Sequence, residues 1–540
     1  MWNRVPLVVI LGPTGVGKSK LSLELAKRFS GEIISADSMQ VYKGLDVITN
    51  KVTDEERAVA PHHLLDFLDP LKKFTVVHFR NKALPIIRDL QAEKKLPIVV
   101  GGTHYYIESL LWDILVEDED ATPTDNKCDA VTARANIDEL KGWLDYVFDF
   151  KAQKMSALTE NSKLEFENKI TEIAKWSTVC IKDATESLKS IQQSAGDGSI
   201  ERLCDTIAGD ISRIRLDVRD LLGIVRSELS LRVEGEMKSA QEEINKKLHS
   251  KLEEVDPETA GVLHHNSRRK ILRALQIHAS KGVTQSQLVN VQRSKDGGSS
   301  HGGPLRFKDA ILFWICCKED VLDKRLDDRV DDMMKRGLVG ELLNFHKKYN
   351  EDRLKNTDSS AAYTLGIFQS IGFKEFHAYL TLPEEERETE LGQKLLNEGV
   401  IALKAVTRRY ARKQIKWIKN RFIKTKDREV PDIYSLDATD LNEWDENVLN
   451  PALQVMGSCL ELEGYSPSLK PLPREDPVGS AVQRNHCAVC DRIFMDTLQW
   501  SVHLKSNKHR RMLAKRKRQE SREEAEETTT KKPVGLPSDH

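Results

Sequence analysis

The first part of the chain alternates short apolar runs with longer stretches of helical period. Leu7–Leu11, Glu32–Ala36 and Leu96–Val100 read as buried strands, and Lys20–Phe29 reads as a helix. Such alternation predicts an α/β fold with a parallel sheet and right-handed crossovers. Ligands on such a sheet gather at the carboxyl ends of the strands. The pattern changes after residue 117. Leu164–Cys180 and Ile200–Leu231 permit long helices, and Leu203, Ile207, Ile211, Ile214, Leu221 and Val225 recur at the spacing of an amphipathic helix or coiled coil. Ala310–Cys316 reads as one more buried strand, and Asp328–Gly337 as the end of a helix stopped by glycine. The stretch from Ile401 to about Phe422 predicts a long helix. Leu403, Val406, Tyr410, Trp417 and Phe422 fall near one face of it; Arg408, Arg412, Lys416 and Lys419 fall near another.

These shifts divide the chain into six stretches. Residues 1–117 form the first part of an α/β core, 118–245 a helical or coiled-coil insertion, and 246–460 a helical region that returns to the core. Residues 461–485, with Pro467, Pro471, Pro473 and Pro477, have linker composition. Residues 486–518 form a small module, and 519–540 a polar, acidic tail expected to be disordered.

The overall charge is balanced, 83 basic against 84 acidic residues in 540, so local imbalance carries the information. Between Lys404 and Lys426 there are ten Lys/Arg and no acid; between Lys505 and Arg518 there are eight and no acid. Uncompensated positive charge on one helix points to a polyanion partner. The run Lys515-Arg516-Lys517-Arg518 also fits a nuclear-import signal. The eight cysteines are scattered, which suggests a reducing compartment. No apolar run reaches the roughly 20 residues of a membrane span. The first strand starts almost at once, so no leader is expected. Cytoplasm and nucleus are the expected compartments, with a mitochondrial pool open only through an upstream start or internal signals. The protein is expected to act as a monomer, with 118–245 available for protein contacts.

Two motifs carry chemistry. Gly12-Pro13-Thr14-Gly15-Val16-Gly17-Lys18-Ser19 is a G-x-x-x-x-G-K-S loop between a strand and a helix. Glycines let backbone N–H groups turn toward an anion, Lys18 adds a point charge and Ser19 can hold Mg²⁺. By itself the loop suggests a polyphosphate or diphosphate without saying which. Near the C-terminus, Cys487-x2-Cys490-x12-His503-x5-His509 has the spacing of a two-Cys, two-His zinc site.

Neighbouring segments narrow the reading. Asp37 sits in S-A-D-S-M-Q-V-Y-K-G-L-D, and the third strand ends in V-V-G-G-T-H-Y-Y with no acid. Together with P-H-H-L-L-D, D-R-V-D-D-M, G-I-F-Q-S-I-G-F-K-E-F and R-R-Y-A-R-K-Q-I-K-W-I-K-N-R-F, these segments resemble the tRNA dimethylallyltransferase (isopentenyltransferase) family. The terminal zinc finger makes the chain similar to the eukaryotic members. The resemblance covers roughly 5–117 and 246–460 in order, plus the finger; the stretch 118–245 is longer than the family pattern needs.

The resemblance implies transfer of a dimethylallyl group from dimethylallyl diphosphate to the N6 of an adenosine next to the anticodon of tRNA. Gly12, Pro13, Thr14, Gly15, Val16, Gly17, Lys18 and Ser19 would then hold the diphosphate with Arg329. Ser19 would hold Mg²⁺. Asp37 would accept the N6 proton, with Thr103 assisting. Ser38, Met39 and Gln40 would line the acceptor-base pocket. Arg269, Lys270 and Arg273 would face the tRNA, and Arg408, Arg412, Lys416 and Lys419 would hold the anticodon arm through its phosphates. Zn²⁺ on Cys487, Cys490, His503 and His509 would be structural.

Three other readings stay open on the residues. A phosphate-loop kinase or nucleotidase with an RNA-binding tail needs only the loop and the tail. A nucleic-acid-binding scaffold could carry the loop as a remnant. An enzyme that prenylates a free adenine nucleotide would share the front half, but a small acceptor needs neither basic helix nor finger.

Overall fold

The structure, a computed structural model, describes residues 5–114, 129–194, 197–226, 229, 233–299, 301–350, 366–425, 428–473, 485–490, 492–494 and 497–530. Its contacts divide the chain into two units, Met1–Lys127 with Val289–Pro477, and Cys128–Leu288 with Val478–His540.

The first unit is built on a six-stranded parallel sheet of β1 (Val8–Leu11), β2 (Gly31–Ser35), β3 (His62–His63), β4 (Leu96–Val100), β5 (Ile311–Cys316) and β6 (Asp432–Asp437), ordered β3-β2-β4-β1-β5-β6. Alternate strand residues feed two separate cores. Val8, Ile10, Ile98 and Phe313 belong to one, and Val9, Leu11, Val99 and Leu312 to the other. Both faces of the sheet are therefore covered. That is why the inner strands read as unbroken apolar runs. The four expected strands are present within a residue of their predicted starts and ends. β3 and β6 were not expected. Both are edge strands, one of two residues and one of sequence D-I-Y-S-L-D, too short or too polar to show a run.

The second unit contains four long helices, Ala130–Lys154, Glu160–Ser194, Asp197–Ile224 and Val233–Val255. Trp143, Phe166, Ile207, Ile214 and Leu221 share one buried core there. The apolar stripe expected of an amphipathic helix or coiled coil thus faces a core shared by several helices. The expected boundary at 245 also moves. Val233–Val255 runs through 245, and its Leu248 and Leu252 pack with Ile271 and Ala274 of the helix Arg268–Lys281. Composition does not change at 245, so nothing in the sequence marked the continuation. The opening stretch 118–128 lies outside the described residues.

Two further expectations are corrected. The proline-rich stretch is docked as far as it is described. Leu469 and Leu472 pack on the cores of the first unit, and the Leu472 N–H donates to the Ile433 carbonyl of edge strand β6 at 2.8 Å. Residues 474–484 lie outside the described residues. The acidic tail is helical to Thr530 as the end of the helix Asn507–Thr530. Glu520, Glu523, Glu524, Ala525, Glu526 and Glu527 in it are good helix formers. Residues 531–540 lie outside the described residues.

Candidate active site and metal-binding group

Three strand ends converge on the site. β1 runs into the loop Gly12–Gly17, where Gly12, Gly15 and Gly17 have φ of 155°, 86° and 93°. A side chain there would be strained. It would also collide, since a Cβ at Gly17 would stand 2.7 Å from the Trp444 ring and one at Gly15 2.8 Å from Leu326. The loop is thus held to its shape by packing from both sides. The helix that follows, Lys18–Phe29, is anchored by Leu21, Leu25 and Phe29 at i, i+4 and i+8.

This loop contributes to a cavity of ≈ 900 Å³. Thr14, Gly15, Gly17, Lys18, Ser19, Asp37, Ser38, Met39, Gln40 and Arg329 all line it. Gly12, Pro13 and Val16 belong to the loop without facing the cavity; the Pro13 carbonyl accepts from Lys18 Nζ at 2.7 Å. Met39, Ile48, Val330, Met333, Ile371 and Leu403 supply an apolar wall. Arg329 donates to Thr14 Oγ1 at 2.8 Å.

Lys18 and Arg329 face this cavity without a carboxylate in ion-pair contact among the described residues. Burial, then repulsion from Arg329, lowers the Lys18 amine to about 7, against the pull of Asp37. Burial, then repulsion from Arg336, lowers Arg329 to about 10. Both shifts measure unmet demand for an anion. The neighbouring His104 imidazole is held neutral: burial, then the charge of Lys18, lowers it to about 3.

The second strand end carries Asp37, which is half-buried. Its Oδ1 accepts from the Met39 N–H at 2.9 Å, and its Oδ2 faces Gly102, where an added Cβ would lie 3.2 Å away. Thr103, at the third strand end, accepts from the Ser38 N–H at 2.9 Å and donates to Ser38 Oγ at 3.1 Å. Its own N–H donates to the Ala36 carbonyl at 3.1 Å. Thr103 therefore ties the loop of Asp37 to the end of β4. Gln40 lines the cavity with its amide already engaged by protein groups. Its Oε1 accepts from Ser35, and its Nε2 donates to the Thr49 and Asn50 carbonyls at 3.1 and 3.0 Å. The amide braces the cavity wall and has no spare donor.

The basic helix, Glu390–Ile418, lines the same cavity, but its charges are not uncompensated as predicted. Arg408 pairs with Asp327, Arg412 with Glu319 and Asp323, and Lys404 with Asp331. All four acids stand at i+4 intervals on one face of the helix Glu319–Lys335. Arg408 and Arg412 are thus directed at carboxylates. Arg409, Lys413, Lys416 and Lys419 make no ion pair among the described residues, and Arg409 and Lys413 line the cavity. Arg421, also in the predicted basic stretch, is spent with Arg428 on the fully buried Glu108.

Sequence reasoning missed Gln414 and Tyr410, which bond to the site loops. A signal existed. Gln414 falls on the apolar face defined by Leu403, Tyr410 and Trp417, where a polar residue needs a partner. Arg269, Lys270 and Arg273 are not brought to this cavity. They lie on the helix Arg268–Lys281 of the second unit, where Arg269 and Lys270 are exposed.

In the C-terminal module an antiparallel pair, β7 (Asn485–Cys487) and β8 (Arg492–Phe494), precedes the helix Thr497–Leu504. One donor atom from each of Cys487, Cys490, His503 and His509 lies within 4.8 Å of the others. The two sulfurs are each 3.5 Å from His509 Nδ1, and His503 Nε2 is buried with no hydrogen-bond partner among the described residues. That orphaned nitrogen and the S₂N₂ donor set fit a tetrahedral metal ion. Phe494 stacks on His503 at 4.3 Å, which orients the ring.

A glycine-rich loop with a lysine and an arginine at an apolar-walled cavity, over a parallel sheet, is the arrangement of an α/β enzyme with a positively charged site. The comparisons with known proteins specify it further. The IPP transferase family model matches residues 40–163 and 216–421, and the isopentenyl transferase model matches 5–61. The tRNA dimethylallyltransferase of Homo sapiens is 37% identical over 519 residues, 96% of this chain and 88% of the relative. That of Saccharomyces cerevisiae is 27% identical over 528 residues, 95% of this chain and 93% of the relative. A crystal structure of a eukaryotic dimethylallyltransferase acting on tRNA matches with a TM-score of 0.57 at 25% identity, covering 97% of this chain and 100% of that one. The chain belongs to the tRNA dimethylallyltransferase family. The family pattern runs into the helical unit from both sides, leaving 164–215 unmatched rather than all of 118–245.

Proposed function

We propose that this protein transfers a dimethylallyl group from dimethylallyl diphosphate to the N6 of an adenosine next to a tRNA anticodon, with release of diphosphate. The observation that carries the reading is the single cavity that joins Lys18 and Arg329 to an apolar wall and to Asp37. The cations and the loop N–H groups take the diphosphate, and the apolar wall takes the hydrocarbon. As the allylic C–O bond breaks, its electron pair leaves with the diphosphate and negative charge grows beside Lys18 and Arg329. N6 bonds to the freed carbon and passes a proton to Asp37. Ser19 would hold Mg²⁺, which when bound would add further charge neutralisation at the diphosphate. Ser38 and Met39 line the acceptor side, with Thr103 setting their loop.

Incubation with labelled dimethylallyl diphosphate, Mg²⁺ and either tRNA or AMP tests the reading. Label in tRNA alone is expected. Label in AMP but not tRNA, or ATP hydrolysis without transfer, overturns it in favour of a nucleotide prenyltransferase or a kinase.

Among the described residues no helix is long and apolar enough to cross a membrane. The tRNA contacts are assigned to Arg409, Lys413, Lys416 and Lys419 on the basic helix, and to Arg269, Lys270 and Arg273 on the helical unit. Lys413→Ala should then reduce the slope of log affinity against log salt by about one phosphate contact, roughly 0.7–0.9. Arg412→Ala should change it less, because its charge is already matched. Filter binding across a salt series separates the two; equal slopes would contradict the assignment. Zinc is the metal the C-terminal donor set fits. Cys487→Ser should release it and weaken tRNA binding, with the single-turnover rate at saturating tRNA unchanged. Zinc content and rate measured together check this. The run Lys515–Arg518 supports a nuclear as well as a cytosolic location.

A further inference from the structure

Gln414 has no part in the reaction set out above, yet it is buried at 3% exposure beside the cavity. Its Oε1 accepts from the Thr14 N–H at 2.8 Å. Its Nε2 donates to the Gly102 carbonyl at 2.9 Å. One turn earlier, the Tyr410 hydroxyl donates to the same carbonyl at 3.2 Å. Gln414 thus spans the two loops between which the reaction must happen. Thr14 belongs to the loop that carries Lys18 and receives Arg329. Gly102 precedes Thr103, which is bonded to Ser38 beside Asp37. The fit at Gly102 is close: an added Cβ would lie 2.8 Å from Gln414 Nε2 and 3.2 Å from Asp37 Oδ2.

We propose that Gln414 is a positioning residue, a strut that fixes the distance between the diphosphate loop and the acceptor-side loop. The inference rests on the transferase reading above. Departure of diphosphate is governed by one loop, and attack by N6 by the other. An amide bonded to both keeps the allylic carbon and N6 aligned, which is where positioning acts on rate. Its side chain also satisfies the Thr14 N–H and gives the Gly102 carbonyl a second donor beside Tyr410. Tyr410 reinforces the acceptor-side end.

The strut makes a specific prediction about product. Without alignment the C–O bond still breaks toward the loop cations, but water competes for the carbon. The allylic C–O electron pair leaves with diphosphate, the water oxygen forms the new C–O bond, and its proton passes to solvent. The product is then dimethylallyl alcohol.

Gln414→Met keeps length and shape and removes both hydrogen bonds. At saturating tRNA and dimethylallyl diphosphate, its kcat for transfer should fall about tenfold or more. KM for each substrate should stay within about threefold, because uniform binding is untouched. The ratio of dimethylallyl alcohol to prenylated tRNA should rise. Gln414→Glu keeps an acceptor for Thr14 but sets a second carboxylate toward the Gly102 carbonyl, and should partition at least as badly. A wild-type product ratio in Gln414→Met, with transfer and hydrolysis lost in step, overturns the strut and leaves a merely structural role. Should a thermal melt show Gln414→Met unfolded, Tyr410→Phe is read instead. A smaller rise in the ratio is expected there, and no rise overturns the proposal. Failure of the wild-type protein to label tRNA at all would overturn the transferase reading, an outcome distinct from both.

Discussion

Asp37→Asn should lower the single-turnover rate of transfer by about 10²–10⁴-fold, the usual worth of a positioned proton acceptor. The affinity for tRNA should stay within about threefold. The substitution is nearly isosteric, and an asparagine oxygen can still accept from the Met39 N–H that Asp37 Oδ1 now holds at 2.9 Å. The wall of the cavity is therefore preserved. What is lost is a carboxylate oxygen facing Gly102, able to take a proton from an adenine amino group that is a poor nucleophile. The charge of Asp37 also stabilises protonated Lys18. Removing it makes the Lys18 ammonium harder to keep, but also removes a negative charge from the neighbourhood of the diphosphate. These two effects oppose each other, so binding of dimethylallyl diphosphate should move much less than the rate. Rapid-quench measurements at saturating substrates, with equilibrium tRNA binding alongside, separate the steps. A loss of tRNA affinity as large as the loss of rate would refute the proton-acceptor role. So would an Asn variant that reacts as fast as the parent.

Asp37 was legible in the sequence because it follows an apolar run directly and stands beside polar residues at a strand end. The same holds for Gly12–Ser19 and for the Gly101-Gly102-Thr103 turn. Each is a local pattern whose meaning depends only on the strand before it. The candidate metal ligands Cys487, Cys490, His503 and His509 were legible through spacing alone, and the structure brings their donor atoms within 4.8 Å. What was not legible depends on pairing across the chain. Arg408 and Arg412 looked unmatched because no acid lies near them in sequence. Their partners Asp327, Glu319 and Asp323 are 81, 93 and 89 residues away. The i+4 ladder of acids on that helix was visible as a pattern, but not which helix it would meet. Gln414 failed for the same reason, since its two partners are 400 and 312 residues distant. Edge strand β6 failed differently. Its Asp432 and Asp437 are exposed, so it lacks the two-faced burial that makes an inner strand an apolar run.

Lys18 should give the site a dependence on pH of defined sign. In the free protein its amine is lowered to about 7 by burial and by Arg329. Diphosphate binding favours the ammonium form, so binding raises that value and takes up a proton above pH 7. The affinity for dimethylallyl diphosphate should therefore fall as pH rises through 7, by up to about tenfold per unit. Lys18→Arg, with a guanidinium charged throughout, should flatten this slope even if it binds less well. Lys18→Met should remove the slope and cost about 10²–10³-fold in transfer rate, the scale of losing one donor to developing charge. The same shift acts on stability with the opposite benefit. A lysine whose folded value lies below its unfolded one carries a penalty that grows as pH falls from about 10.5 toward 7 and is complete below 7. Lys18→Met should thus raise the melting temperature of the substrate-free protein at pH 6 while abolishing its affinity gain at that pH. Titration calorimetry in buffers of different ionisation enthalpy reads the proton uptake directly. An affinity for dimethylallyl diphosphate that is flat from pH 7 to 9 in the parent, with no proton taken up, would mean that Lys18 is already charged and does not meet the diphosphate.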